Sequence, residues 1–170
     1  MSKMKVLVLV VGMLITSAVL AENKLDINGD FLLKRPPTGW GPNKPLYWDN
    51  SGKLILKTVT GLDKTALKLV SQSRKMHLYF GKKFKITKGA KLILKVMVRG
   101  KGAGVIGAYT YPGGGFIKKD IKASEDWTEF VAELSFPQKV KGICIVVGIG
   151  PGASVEFVGL TAEIKTKKKK

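Results

Sequence analysis

The chain has 170 residues, of which 30 are Lys or Arg and 12 are Asp or Glu, with one His and one Cys. Its formal charge of +18 predicts attraction to polyanions such as nucleic acid, anionic polysaccharide or an acidic membrane surface. Apolar residues form 45% of the chain, which excludes a mostly disordered protein. The lone Cys144 excludes a disulfide-stapled miniprotein, and the length predicts one domain.

The first 21 residues have the pattern of a secretory signal peptide. Lys3 and Lys5 precede an apolar run over residues 6–19, and Ala21 ends a small-residue site that predicts cleavage before Glu22. The run is too short to cross a bilayer as a helix, although an uncleaved membrane anchor is the alternative. We therefore expect a secreted or periplasmic protein with no transmembrane segment after processing.

Short β-branched runs separated by Gly, Pro and Asn dominate the remaining chain, and helical periodicity is almost absent. The predicted strands span residues 54–59, 66–70, 84–86, 91–99, 104–111, 127–136, 142–149 and 155–164. About eight strands near ten-residue spacing, without helices between them, predict an all-β fold: a single antiparallel β-sandwich, of the jelly-roll form, over residues 22–164. The lysine run of residues 165–170 predicts a disordered tail.

Several short motifs occur in a characteristic order. Asn28-Gly29-Asp30-Phe31 opens the domain and Thr38-Gly39-Trp40 follows; the later motifs are the central strand 92–100, Glu125-Asp126-Trp127 before Phe130, and the closing strand 155–158. This order resembles the galactose-binding-domain-like jelly rolls, especially carbohydrate-binding modules of the family 4/9/22 type, across residues 26–164. The resemblance implies a jelly roll that binds glycans and catalyses no reaction.

The chain departs from the family pattern at its calcium positions. Leu32 stands where the family has Glu, and Val158-Gly159-Leu160 stands where it has Asp-Asp-Val. Since Ca²⁺ needs several hard oxygen ligands and Asp30 alone cannot supply them, we expect no metal and no cofactor.

Other chemistries find little support in the sequence. Residues 102–107 match the dinucleotide pattern G-x-G-x-x-G, but a strand and Pro112 follow where a phosphate-binding helix is required. His77 is the single histidine, so it forms no metal cluster and no obvious triad. Glu129 and Glu133 could be paired glycosidase carboxylates, yet their alternation is also what a solvated strand face requires. We expect no enzyme.

The basic residues are unevenly distributed. Between Asp63 and Asp120 the chain has no acidic residue and 14 Lys or Arg, which adjacent strands could merge into one positive surface. The alternative is a dispersed, solubilising lysine coat. Lys greatly outnumbers Arg, which argues against sequence-specific recognition of nucleic acid.

Exposed aromatic residues supply the candidate binding site. Tyr109 and Tyr111 are two residues apart, so on a strand they face the same way. We expect them to form a groove with Lys95 and Arg99 of the preceding strand, with Trp48 as a further stacking residue. The alternative packs Tyr109 in the core with its hydroxyl at the rim. Trp40 and Trp127 are expected in the core.

These observations favour an exported, non-catalytic glycan-binding protein that prefers anionic polysaccharide. Two alternatives stay open. One is a structural or surface-interaction protein of the same fold that docks to an acidic partner or envelope surface through its lysines. The other is a nonspecific nucleic-acid binder, which needs aromatic residues interleaved with the basic ones.

Overall fold

A computed structural model describes residues 21–27, 29–31, 40–42, 52–59 and 64–166. Within these residues the chain is all β, and the predicted fold class is confirmed: a single antiparallel β-sandwich of the jelly-roll type. No helix in these ranges is long and apolar enough to cross a membrane. Trp48, residues 1–20 of the predicted signal peptide, and residues 167–170 of the predicted tail lie outside the described residues.

The described chain contains eleven strands. They are β1 (Ala21–Lys24), β2 (Trp40–Pro42), β3 (Gly52–Val59), β4 (Lys64–Ser71), β5 (Met76–Phe80), β6 (Phe84–Lys85), β7 (Lys91–Tyr111), β8 (Phe116–Ala123), β9 (Thr128–Ser135), β10 (Gly142–Ile149) and β11 (Ser154–Thr166).

The strands form two layers that share one strand. The front sheet runs β2-β5-β10-β7-β8, with β6 also paired to β10. The back sheet runs β9-β7-β11-β4-β3, with β1 also paired to β11. Every pairing is antiparallel. The first half of β7 lies in the back sheet and its second half in the front sheet, so this strand joins the two layers.

Two glycines mark the point where β7 passes from one sheet to the other. Gly100 and Gly102 have φ values of 135° and 94°, which side-chain-bearing residues rarely adopt. A Cβ at Gly100 would lie 2.1 Å from the carbonyl oxygen of Ser154 on β11. The bend therefore needs glycine at position 100 both for its backbone conformation and for the close approach of β11.

The core lies between the sheets and receives alternate residues of both. On β7 the even-numbered residues from Leu92 to Val98, and then Ile106 and Ala108, are buried in one cluster. Trp40 is in the same cluster and donates a hydrogen bond from Nε1 to the carbonyl oxygen of Ile27 at 2.9 Å, which confirms its predicted core position.

The observed strands refine the sequence prediction. Seven of them were expected, but the two predicted strands at 91–99 and 104–111 are one continuous strand, because glycines at the bend interrupt the sequence pattern without interrupting the ladder. The pattern did not predict β1, β2, β5 and β8. Strand β11 continues through Thr166, so Lys165 and Thr166 are paired strand residues rather than part of a disordered tail.

Candidate functional site

The outer face of the front sheet, here called the front face, carries aromatic side chains. On β5 the even-numbered residues are in the core, so His77 and Tyr79 point outward. On β7 beyond the bend the same alternation turns Tyr109 and Tyr111 outward. Phe116 of β8 pairs with Tyr109 and lies on the same face. Three strands thus bring five rings to one surface.

Four of these rings form a closed cluster, the aromatic quartet of His77, Tyr79, Tyr109 and Phe116. Ring centroids are 6.3 Å apart for His77 and Tyr79, and 4.9 Å apart for Tyr79 and Tyr109. Tyr109 stacks on Phe116 at 5.0 Å with planes 11° apart, and Phe116 is 5.1 Å from His77. Since β5 and β8 are separated by two strands, the rings converge over the middle of the sheet.

Glycines beneath the quartet make this convergence possible. A Cβ at Gly148 of β10 would lie 2.3 Å from Cδ2 of His77, so the imidazole rests on the bare backbone there. A Cβ at Gly107 of β7 would lie 2.4 Å from the carbonyl oxygen of Ile117, so β8 approaches β7 closely beside the rings. Glycine inside a strand often marks such a close approach.

One end of the front face is basic around His77. Burial lowers the pKa of His77, and the nearby positive charges of Lys75 and Lys118 lower it further. Lys118 also forms an ion pair with Asp120 of its own strand. His77 is therefore held toward its neutral form, in which the imidazole acts as an aromatic, weakly polar surface.

The other end of the front face carries Tyr111. Its side chain is exposed, at 37%, and the ammonium of Lys83 lies 4.0 Å from the centroid of its ring. Partial burial raises the pKa of Tyr111, with smaller effects from Cys144 and Tyr109. Burial also raises the pKa of Cys144, a buried thiol that is free because the chain has one cysteine.

The predicted binding groove is therefore wrong as a single surface. Tyr109 and Tyr111 share the front face, but Lys95 and Arg99 belong to the part of β7 that pairs with β11 in the back sheet. Their side chains lie on the outer face of the back sheet, here called the back face, across the core from the tyrosines. The prediction took residues 91–99 for a separate strand next to 104–111, whereas one strand continues through both. The one positive surface that adjacent strands could form is divided in the same way, with Lys83 and Lys85 beside Tyr111 and Lys95 and Arg99 on the back face.

On the back face, Arg99 is held by an ion pair and a ring contact. Its Nε donates to Oε2 of Glu156 at 2.8 Å, and Lys68 lies 3.6 Å from Oε1 of the same carboxylate, which is buried. The guanidinium lies 4.6 Å from the centroid of the Trp127 ring. Trp127 is half-buried and packs against a small cluster on this face. The prediction that it lies in the main core is therefore wrong.

The sequence pattern does not indicate three of the quartet residues. His77 and Tyr79 lie on β5 and Phe116 on β8, two strands that the pattern did not predict. The available signal was Gly148, an isolated glycine inside the apolar strand β10, which indicates that another group approaches the backbone there.

The described residues contain no cluster of three or more His, Cys, Asp or Glu side chains suited to a metal ion. The dinucleotide-like stretch 102–107 continues as strand β7 with no helix after it, so it lacks the helix terminus that binds pyrophosphate.

Comparison with known proteins places this architecture. No protein-family model matches the sequence, and no curated protein matches it. Among solved structures, a family 29 carbohydrate-binding module matches with a TM-score of 0.52 at 15% identity, covering 85% of this chain and 89% of that chain. A variant of a family 29 module complexed with mannohexaose gives 0.52 at 14% identity, over 85% and 92% of the two chains. A variant complexed with cellulohexaose gives 0.51 at 14% identity, over 85% and 91%.

At such identities the likeness shows the fold. This chain has the jelly-roll fold of carbohydrate-binding modules, and the family 4/9/22 type expected from the motifs is not confirmed.

Proposed function

We propose that this protein is a non-catalytic glycan-binding module that holds a polysaccharide on its front face. The observation that carries the proposal is the aromatic quartet, in which four rings converge over a strip of glycines. A sugar ring has an apolar face of C–H groups that packs on an aromatic ring, while its hydroxyls need polar partners at the edge. The hydroxyls of Tyr79 and Tyr109 provide such a polar edge beside apolar ring surface.

Charge on the front face favours an anionic polysaccharide. The lysines on or beside this face are Lys75, Lys83, Lys85, Lys118 and Lys122, and Asp120 is the one carboxylate that the described part of the face carries. Exposed charges of one sign raise the local concentration of an oppositely charged ligand.

Two features support binding without catalysis. Glycoside hydrolysis ordinarily needs two carboxyl groups about 5–9.5 Å apart across the scissile bond. Asp120 has no second carboxylate beside it on the described part of this face, and it is already paired with Lys118. Burial lowers the pKa of the single histidine, which lies inside the ring cluster, and no hydroxyl or thiol of the described residues is hydrogen-bonded to it.

Export is part of the proposal and rests on the N-terminal sequence pattern of residues 1–21. Family 29 modules of the same fold have been solved with hexasaccharides bound, which supports glycan binding as a use of this architecture. Extracytoplasmic polysaccharide is the ligand that both considerations favour.

A glycan array followed by calorimetry tests the proposal. Replacing Tyr109 with Leu keeps apolar volume but removes the ring, so affinity should fall at least about tenfold, the loss that one stacked ring commonly causes. Tyr109→Phe keeps the ring and serves as the matched control, with a smaller loss. Circular dichroism and thermal melting of both variants separate lost binding from lost folding. If folded Tyr109→Leu binds as well as the natural protein, the quartet is not the site.

Salt separates glycan recognition from general polyanion binding. A stacked sugar should remain bound at 1 M NaCl, where the Debye length is about 3 Å, whereas purely electrostatic binding should be lost. Binding that disappears in salt and ignores Tyr109 would favour the alternative function, docking of an acidic partner or envelope surface through the lysines. No binding to any neutral or anionic glycan at any ionic strength would reject the proposal.

A further inference from the structure

The Tyr111 end of the front face contains a cation held by a ring rather than by a carboxylate. Lys83 is exposed, and its ammonium lies 4.0 Å from the centroid of the Tyr111 ring. Its neighbour Lys82 lies 5.6 Å from the centroid of the Phe84 ring. Cation–π contacts at exposed sites are weak, so either ammonium can turn toward an incoming anion at little cost.

Four other cations on the two sheets are paired with acids. Lys118 is paired with Asp120 and Lys91 with Glu133, while Arg99 and Lys68 share Glu156. In the described part of the chain no carboxylate pairs with Lys83. An acidic ligand group that reaches Lys83 therefore displaces no ion pair, whereas one that reaches Lys118 competes with Asp120.

The Tyr111 ring is within reach of a sugar bound on the quartet. Tyr111 follows Tyr109 by two residues on the same strand face, a separation of about 7 Å. Its position is fixed by the backbone, since Lys141 N–H donates to the Tyr111 carbonyl at 2.8 Å and Gly114 N–H donates to the Thr110 carbonyl at 3.1 Å. The next sugar along a bound chain can thus pack on Tyr111 while the first packs on the quartet.

We propose that Lys83 and Tyr111 form an acidic-sugar subsite, in which Tyr111 packs on the sugar ring and Lys83 binds its carboxylate or sulfate group. The inference rests on the proposed glycan-binding function and adds where the negative charge is recognised. Because Lys83 is held against a ring on which a sugar can pack, the site has a direction, and a chain with one acidic end binds in one orientation.

The pKa of His77 provides an independent test for an acid bound at the opposite end of the front face. His77 lies beside Lys75 and Lys118, and its backbone is in the cross-strand row of Val105, six residues before Tyr111 and roughly 20 Å away along β7. Its imidazole leans toward Phe116, but the rings of Phe116 and Tyr109 still lie between it and Tyr111, so the separation exceeds the Debye length of about 8 Å at physiological salt. An acid bound at Lys83 should leave the pKa of His77 unchanged, and an acid bound near Lys118 should raise it.

The test uses three probes built on the neutral tetrasaccharide that binds best in the glycan array: that compound, and the same compound with glucuronate at either end. In calorimetry one acidic isomer should bind about tenfold tighter than the neutral probe, the gain of a charge-assisted hydrogen bond. Lys83→Gln should remove this gain. Lys118→Gln, and Lys95→Gln on the back face, should each change it less than twofold. NMR titration of His77 should give the same pKa with and without the acidic probe.

Each other outcome overturns the inference. A gain that survives Lys83→Gln but is lost in Lys118→Gln, together with a raised pKa of His77, assigns the acid to the opposite end. Equal affinity for neutral and acidic probes shows that no acidic subsite exists while glycan binding stands. If no glycan in the array binds, the proposed function fails, and the acidic subsite fails with it.

Discussion

The two outer faces of this sandwich differ in how they satisfy their charged side chains. On the back face, Arg99 and Lys68 share the buried carboxylate of Glu156, and Trp127 packs beside Arg99. On the front face, rings cluster with one another and Lys83 rests on a ring. Ion pairs around a buried carboxylate contribute to stability, whereas partly exposed rings and a cation that no described carboxylate pairs with are available to a ligand.

The largest expected effect comes from the bend that separates the two faces. Gly100→Ala should destabilise the fold by at least about 3 kcal/mol, because the new Cβ would clash with the carbonyl oxygen of Ser154 in addition to the backbone strain. Gly113→Ala is the matched control: its φ is 105° and a Cβ there has open space, so the cost should be about 1 kcal/mol. Urea denaturation measures both. Equal losses would mean that the close contact at the bend is unimportant.

Removing Arg99 should be the next largest change. Glu156 is only 5% exposed, and Arg99→Leu removes one of the two cations beside its carboxylate while Lys68 stays. The variant should lower the free energy of unfolding by about 2 kcal/mol. Adding Glu156→Leu removes the buried charge and should recover most of that loss. Denaturation of the single and double variants gives the two values. Glycan affinity should not change, so a loss of binding in folded Arg99→Leu would contradict the division of the two faces.

The front face should make stability depend on pH near neutrality, because it carries the single histidine. The pKa of His77 is lowered below its ordinary 6.5 in the folded protein, so the unfolded chain binds more protons as the pH falls through this range. Stability should therefore be complete above pH 6.5 and decrease on acidification, by less than the Arg99→Leu loss. His77→Phe should remove this part of the pH dependence. Urea denaturation midpoints of the natural protein and of His77→Phe, measured at pH 7.5 and 5.5, test this prediction. The same change in midpoint between the two pH values in both proteins would refute it.

Lys95→Ala should have the smallest effect. Lys95 is exposed on the back face, so the change in stability should stay within about 0.5 kcal/mol and glycan affinity within twofold. Calorimetry with the array-selected glycan provides the check. The matched variant is Lys83→Ala, which should lower the affinity for acidic glycans. A larger loss of affinity in Lys95→Ala than in Lys83→Ala would support the groove predicted from the sequence instead.

Local pattern was enough for the fold class and for part of the site. Alternation in β9 correctly placed Glu129 and Glu133 on a solvated strand face. The same period of two correctly set Tyr109 and Tyr111 on one face. These inferences needed only neighbouring residues, which is why the sequence could supply them.

Strand pairing was beyond that local information. In β8, Lys119 stands at a core-facing position between Ile117 and Ile121, so the alternation is hidden and the strand was missed together with Phe116. Glycines such as Gly100 and Gly102 usually indicate the end of a strand, yet here they lie at a bend within one continuous strand. Which rings meet His77 depends on β5, β10, β7 and β8 lying side by side, and that order is a property of the folded sheet.

Because β7 belongs to both sheets, local unfolding of one sheet should be coupled to unfolding of the other. The ladder bonds of β7 run from Lys91 through Tyr111, so neither sheet can detach while the other stays intact. Amide hydrogen exchange should then report one cooperative unit, with protons at Arg99 and Val98 exchanging only through global unfolding. A ligand on the front face should slow the exchange of these distant amides by the same factor as those beside it, because binding lowers the population of the one open state that all of them share.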